Sequence, residues 1–177
     1  MIKRPILFTA PNAKLILDDV KIQTRRLTTS PLSRAQVGDM LYVREPWRTD
    51  ELNDQVKPSD LHNTPIFYES DYIGKPGKPD GSGRLRPAMF LPRRLSRATL
   101  IITNVRTQFL HDITEADAKA EGVLPVTFTD YRPYTCAYRG LWDTLHPNNQ
   151  WHTNPEIIAL TFKVVRQNVD AIEEVAA

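Results

Sequence analysis

Cysteine is nearly absent: Cys136 is the one thiol in 177 residues. A single cysteine forms no internal disulfide, so the expectation is a reducing compartment and a cytoplasmic protein. Long apolar runs are missing too. The N-terminal Pro5-Ile6-Leu7-Phe8 is soon interrupted by Asn12 and Lys14, with Asp18-Asp19 behind them. That excludes a secretory core, and no other stretch reaches the roughly 18–20 apolar residues of a membrane span. His62, His111, His146 and His152 share no metal-ligand spacing with one another or with Cys136, so neither metal nor cofactor is expected. There is no Gly-rich phosphate loop and no Gly-x-Ser-x-Gly elbow. Glycine is scarce, 7 against 14 prolines, which favours short strands joined by extended connections over long regular elements.

What is present suits a globular domain with a real core: 41% apolar and 25% charged residues, without internal repeats. The net charge of +2 hides a strong patterning. Residues 1–48 and 73–107 are basic, at +5 and +7, while 49–72 and 108–177 each carry −5. The basic blocks either join as one positive surface or are solvated separately.

Ile6-Leu7-Phe8, Met40 to Arg44 after the Gly38-Asp39 turn, Ile66-Phe67-Tyr68, residues 98–106 and residues 156–165 read as strands. Ala10 to Leu17 reads as a short helix with Pro11 in its first turn. Thr114-Glu115-Ala116-Asp117 is a capping box opening a helix that Gly122 closes. Tyr134, Ala137, Tyr138, Leu141, Trp142 and Leu145 recur at helical spacing, a helix from Pro133 that Pro147 stops. Within it Cys136 reads as a small buried hydrophobe. Residues 74–83 form the clearest loop, a linker or a flap, and residues 168–177 a frayed or disordered tail. Short strands with small helices between them predict an α+β domain around a curled mixed sheet or barrel.

The strongest local chemistry lies in Lys21-Ile22-Gln23-Thr24-Arg25-Arg26: three cations, an amide and a hydroxyl within six residues. Such a group binds phosphate or carbonyl oxygen and offers a hydroxyl nucleophile beside an amine base; it also reads as a solvated basic turn. For Lys21 to act as a base, burial or its arginine neighbours must lower its pKa. Lys21 and Thr24 face opposite ways on a regular strand, so their cooperation calls for a turn or helical geometry. Glu121 ends the 114–121 helix, where the macrodipole disfavours a carboxylate unless a cation is near, and reads as a proton donor or a surface residue. Arg44, Glu45 and Trp47 frame a base-stacking pocket or a buried Trp with an ion pair. Arg84, Arg86, Arg93, Arg94 and Arg97, in an extended acid-free stretch, either contact phosphate or pair with the acidic 49–72 block.

In order, Leu15 to Asp19, Lys21 to Arg26, Gly38-Asp39-Met40-Leu41-Tyr42-Val43, Ile113 to Gly122 and Ile157 to Val164 resemble the pieces of the ASCH family. Arg44-Glu45-Pro46-Trp47, residues 92–97 and Leu141-Trp142-Asp143 look like its longer phage and prophage subgroup. Asp19 and Ile22 depart from the family's usual glycine and threonine. The resemblance implies a PUA-like β-barrel, one domain over 1–167 with insertions near 48–65 and 72–90, and action on RNA or modified nucleosides. One branch of the family removes the acyl group of N4-acetylcytidine. By that resemblance Lys21 is the base, Thr24 the nucleophile and Glu121 the proton donor; from the residues themselves, Gln23, Arg26, Arg44, Glu45 and Trp47 are expected around the substrate. The alternatives are a non-catalytic binder of RNA or a modified nucleoside, and a ribonuclease.

Overall fold

The structure, a computed structural model, describes residues 1–172. In chain order the elements are β1 (Lys3–Leu7), α1 (Ala10–Leu17), β2 (Gln23–Leu27), β3 (Met40–Arg44), β4 (Trp47–Arg48), β5 (Phe67–Tyr68), β6 (Thr99–Phe109), α2 (Glu115–Ala120), α3 (Pro133–Leu145) and β7 (Glu156–Val165). The α+β class agrees with the sequence. Five strands form one mixed sheet in the order β1-β3-β6-β7-β2, and β4 and β5 make a separate two-stranded ribbon. The sheet is not closed into a barrel, because β1 and β2 are its two edges and no ladder joins them among the described residues. Among those residues no helix is long and apolar enough to cross a membrane.

The chain divides into two compact units: Met1–Asp18, Met40–Leu100 and the chain from Val164 form the first, and Asp19–Asp39 with Ile101–Lys163 the second. In the first, β1 runs parallel to β3, pairing Lys3 with Met40 through Leu7 with Arg44. Helix α1 buries Ala13 and Ile16, one helical turn apart. A small core of Trp47, Leu61 and Leu91 anchors residues 47–95, with Val56, Ile66, Tyr68 and Leu95 packed on it. The 74–83 loop is fastened at its far end, where Gly83 N–H donates to Thr49 O (2.8 Å) and Glu51 N–H to Gly81 O (3.1 Å). Residues 168–172, expected to be loose, are docked in part: Val169 is buried, and Asn168 Nδ2 donates to the carbonyls of Arg93 and Ser96, both at 2.8 Å. The rest of the expected tail, 173–177, lies outside the described residues.

In the second unit β2 runs antiparallel to β7, pairing Gln23 with Thr161 and Leu27 with Ile157. Leu110, Ile113, Ala118, Tyr138, Trp142, Ile157 and Ala159 make its core. Thr114 caps α2 as its sequence requires, accepting from Asp117 N–H at 3.1 Å while Asp117 accepts from Thr114 N–H at 3.3 Å. Helix α3 starts without a side-chain cap of its own, and Glu115 fills that role by accepting from the N–H groups of Tyr134 (3.0 Å) and Thr135 (2.9 Å). That contact fixes α3 against α2. Cys136 is half-buried on α3, more open than the small core hydrophobe expected of it.

Candidate active site

The polar segment 21–26 is the centre of the second unit. Gln23–Leu27 is a strand where the sequence chemistry called for a turn, and Lys21, Gln23, Thr24 and Arg25 are all at most 4% exposed. Apolar content did not predict this strand, because its inward face is ionic. What holds it is pairing on both sides of Ile22: its N–H donates to Ala120 O (2.9 Å), and its carbonyl accepts from Phe162 N–H (3.0 Å).

Alternation along the extended chain then sorts the side chains. Lys21, Gln23 and Arg25 converge on the end of α2. Lys21 Nζ lies 2.5 Å from Glu121 Oε2 and 2.8 Å from the Glu121 carbonyl. Arg25 Nη1 donates to Glu121 Oε1 (3.0 Å) and to Gln23 Oε1 (2.7 Å), and Gln23 Nε2 donates onward to Thr161 Oγ1 (3.1 Å). Asp117, four residues before Glu121 and so on the same helix face, lies 3.3 Å from Arg25 Nη2 and accepts from Arg106 at 2.6 Å. Thr24 belongs to the other set, its Oγ1 accepting from Arg26 Nη1 at 2.6 Å. A direct Lys21–Thr24 hydrogen bond is therefore not formed: the expected turn is a strand, and strand geometry sends residues 21 and 24 opposite ways.

Burial sets the electrostatics. It holds the Lys21 amine below the usual lysine range; Glu121 pulls the other way, while Arg26 and Arg25 add to the lowering. Arg26 is lowered by the same desolvation although only half-buried as a residue. Burial and the Glu121 charge push the Tyr138 phenol well up, and the Arg25 guanidinium lies 5.7 Å from the Tyr138 ring centre. His146 is lowered by burial and by Arg26. Burial works against the charge of Asp117, yet hydrogen bonds from Arg106 and Thr114 hold it below the usual carboxylate range. A lysine amine with a weakened hold on its proton, touching a carboxylate, can pass a proton along a path of one hydrogen bond. The guanidinium of Arg26 engages a lone pair of the Thr24 oxygen, so the hydroxyl becomes an effective nucleophile only once Arg26 turns to the substrate oxygen and a base takes the proton.

Two participants escaped the sequence reading, Asp117 and Tyr138, and Arg25 entered it only as a charge beside Lys21. The signals were there, in the two-residue period of 21, 23 and 25 and in the helical spacing of 117 and 121.

The remaining candidates belong to the first unit, where each side chain but that of Arg84 has a local partner. Arg44 donates to Met89 O at 3.0 Å and lies over Tyr42. Glu45 is buried, accepting from Arg97 Nε at 2.9 Å and from Ser70 Oγ. Trp47 has no exposed surface and carries Arg86 on its ring at 5.1 Å, so it offers no face for stacking a base. Four of the five expected phosphate-binding arginines are committed within the protein. Arg86 donates to the carbonyls of Asn53, Asp54 and Val56, and Arg94 to those of Pro58 and Leu61. Arg97 bridges Glu45 and Asp71 and covers Tyr68 at 4.0 Å, while Arg93 pairs with Asp170. Hydrogen bonds to Asp71 and Glu45 outweigh desolvation and raise Arg97 above its ordinary value. Tyr68 beneath it is pushed up to about 12, chiefly by burial. Arg86, Arg94 and Arg97 reach the 49–72 block, the first two through its backbone carbonyls, whereas Arg93 does not. Arg84 is exposed beside a groove of about 350 Å³ shared with Pro58, Leu85, Pro87 and Phe90. Among the described residues no group of three or more His, Cys, Asp or Glu side chains is placed to hold a metal ion.

No family model and no curated protein matches the chain. Two solved structures are similar to it. One is an ASCH domain from Lactobacillus crispatus JV V101, with 16% identity, 92% of this chain and 79% of that one covered, and a TM-score of 0.44. The other is protein EF3133 from Enterococcus faecalis V583, of family-model DUF984, with 12% identity, 98% and 86% coverage, and a TM-score of 0.46. The first is of the family the sequence resembles. What the site can do follows from its own atoms.

Proposed function

We propose that the buried set in the second unit is the active centre of an amidohydrolase that removes the acyl group from N4-acylated cytosine nucleosides. The carrying observation is the 2.5 Å contact between Lys21 Nζ and Glu121 Oε2, with Lys21 held below the usual lysine range by burial. The acylcytosine substrate comes from the ASCH resemblance.

The Thr24 hydroxyl attacks the amide carbonyl carbon, and its proton goes to the Lys21 amine through a relay, because the two side chains leave the strand on opposite faces. Arg26, already on Thr24 Oγ1, stabilises the oxyanion. The proton passes from Lys21 to Glu121 and on to the exocyclic nitrogen as the C–N bond breaks, releasing cytidine and leaving an acyl-threonine. Water hydrolyses that ester, frees the carboxylic acid and restores the threonine.

Purified protein mixed with N4-acetylcytidine, followed by absorbance, tests this directly. Thr24→Ala is expected to abolish turnover, and Lys21→Met to lower kcat by about 10²–10⁴. Full activity in both variants overturns the mechanism. A binding function without turnover is favoured by one observation, the Arg26 hold on the Thr24 hydroxyl. It predicts saturable binding of the nucleoside or of RNA and no product.

A further inference from the structure

We propose that Arg25 is a positioning residue that, with Asp117 behind it, sets the protonation of Lys21 through Glu121. This rests on the amidohydrolase reading for its purpose, but its geometry stands alone.

The carboxylate of Glu121 is divided between two cations: Oε1 accepts from Arg25 Nη1 at 3.0 Å, and Oε2 lies 2.5 Å from Lys21 Nζ. Arg25 has almost no freedom to release its oxygen. It is 1% exposed, Nη1 is also bound to Gln23 at 2.7 Å, and Nη2 faces Asp117 at 3.3 Å. Asp117 is itself fixed by Arg106 and by the Thr114 cap. An unbroken line of alternating charge thus runs Arg106, Asp117, Arg25, Glu121, Lys21. The guanidiniums keep their protons and so enter this line as fixed charges.

The consequence is electrostatic. A carboxylate wholly devoted to Lys21 would hold the ammonium proton tightly and spoil it as a base. By sharing the Glu121 carboxylate, and by presenting its own positive charge, Arg25 loosens that proton. Asp117 moderates the effect, because it offsets part of the Arg25 charge. The groups facing this line are Lys21 just before β2, Arg25 and Arg26 from β2, Asp117 and Glu121 from α2 and its end, Tyr138 and His146 from α3 and its end, and Arg106 from β6. Among them Arg25 touches both carboxylates.

The two substitutions in this line have opposite signs. Arg25→Gln removes a cation and returns the Glu121 charge to Lys21, so Lys21 titrates at higher pH. Asp117→Asn keeps the shape and the cap oxygen but strips the counter-charge from Arg25, so Lys21 titrates at lower pH. The measurement is NMR titration of protein labelled at lysine 13Cε, with Lys21 assigned by Lys21→Met. Wild-type Lys21 is expected below the other lysines, Arg25→Gln above wild type, and Asp117→Asn below it. An unmoved Lys21 in either folded variant, or movement of both in one direction, overturns the proposal. If Arg25→Gln does not fold, the downward shift in Asp117→Asn decides alone. Because the titration needs no turnover, a lack of activity on N4-acetylcytidine sinks the catalytic reading and leaves this one standing; the converse also holds.

Discussion

Lys21 Nζ and Glu121 Oε2 approach to 2.5 Å although a hundred residues separate them, both nearly excluded from solvent. The contact joins an edge strand to the end of a helix and makes the site one electrostatic unit. Removing either partner has unequal consequences.

Glu121→Gln leaves Lys21 with no anion and Arg25 with Asp117 alone. Breaking a buried pair from one side costs about 3–5 kcal/mol. Denaturant unfolding is expected to show a loss in that range for Glu121→Gln and a clearly smaller one for Lys21→Met, where Arg25 still satisfies the carboxylate. Equal losses would contradict the shared-carboxylate geometry.

The lowered Lys21 has a stability signature of its own. Between its folded value and the ordinary lysine value near 10.4, the unfolded chain binds more protons than the native one, so stability rises with pH across that window. Lys21→Met should flatten that rise in urea midpoints measured from neutral to alkaline pH. A rise that persists unchanged assigns it to another group.

At the acid end His146 takes over. Its ring stacks on Trp142 at 4.0 Å, and burial with Arg26 nearby holds it below the usual histidine range. The unfolded chain binds its proton first. Stability is therefore expected to fall as pH drops from about 6.5 toward the folded value, and His146→Gln to weaken that fall. Thermal melts between pH 7.5 and 5 measure it.

Arg97 and Arg84 offer a contrast between neighbours in one basic stretch. Arg97→Met strands the buried Glu45 carboxylate and uncovers Tyr68, so a loss of about 3–5 kcal/mol is expected. Arg84→Ala, at an exposed position, should stay within about 0.5 kcal/mol of wild type. A mild Arg97 variant would mean that the insertion does not depend on this ion pair.

Much of the fold was legible where local pattern and burial agree. Thr114 to Gly122 announced α2 through its capping box, Tyr134 to Leu145 announced α3 through its apolar spacing, and the β-branched run at 157–165 announced β7. The strand at Gln23 was hidden because its buried face is ionic, satisfied by Glu121 and Asp117 from far along the chain. Hydrophobic periodicity carries no trace of such a partner. The partners of Arg86 and Arg94 were hidden similarly: their acceptors are backbone carbonyls some thirty residues away, and a carbonyl has no signature in composition. Lys21 and Glu121 were picked out by residue type and resemblance, and Arg25 as a charge beside Lys21, but not as a partner of Glu121.

Ile22 looks like the least informative residue of the site, an exposed aliphatic between two buried polar ones. Its importance is arithmetical. It makes the distance from Lys21 to Gln23 even and the distance from Lys21 to Thr24 odd, so that parity decides which neighbours the amine meets. Any residue but proline at 22 preserves this, since the N–H is needed for Ala120; removing the residue does not. A deletion there would turn Lys21 to the Thr24 side and part it from Glu121, whereas such substitutions at 22 leave the partnership alone. The site is thus spelled partly in spacing, and a change of one in length weighs more than a change of side chain.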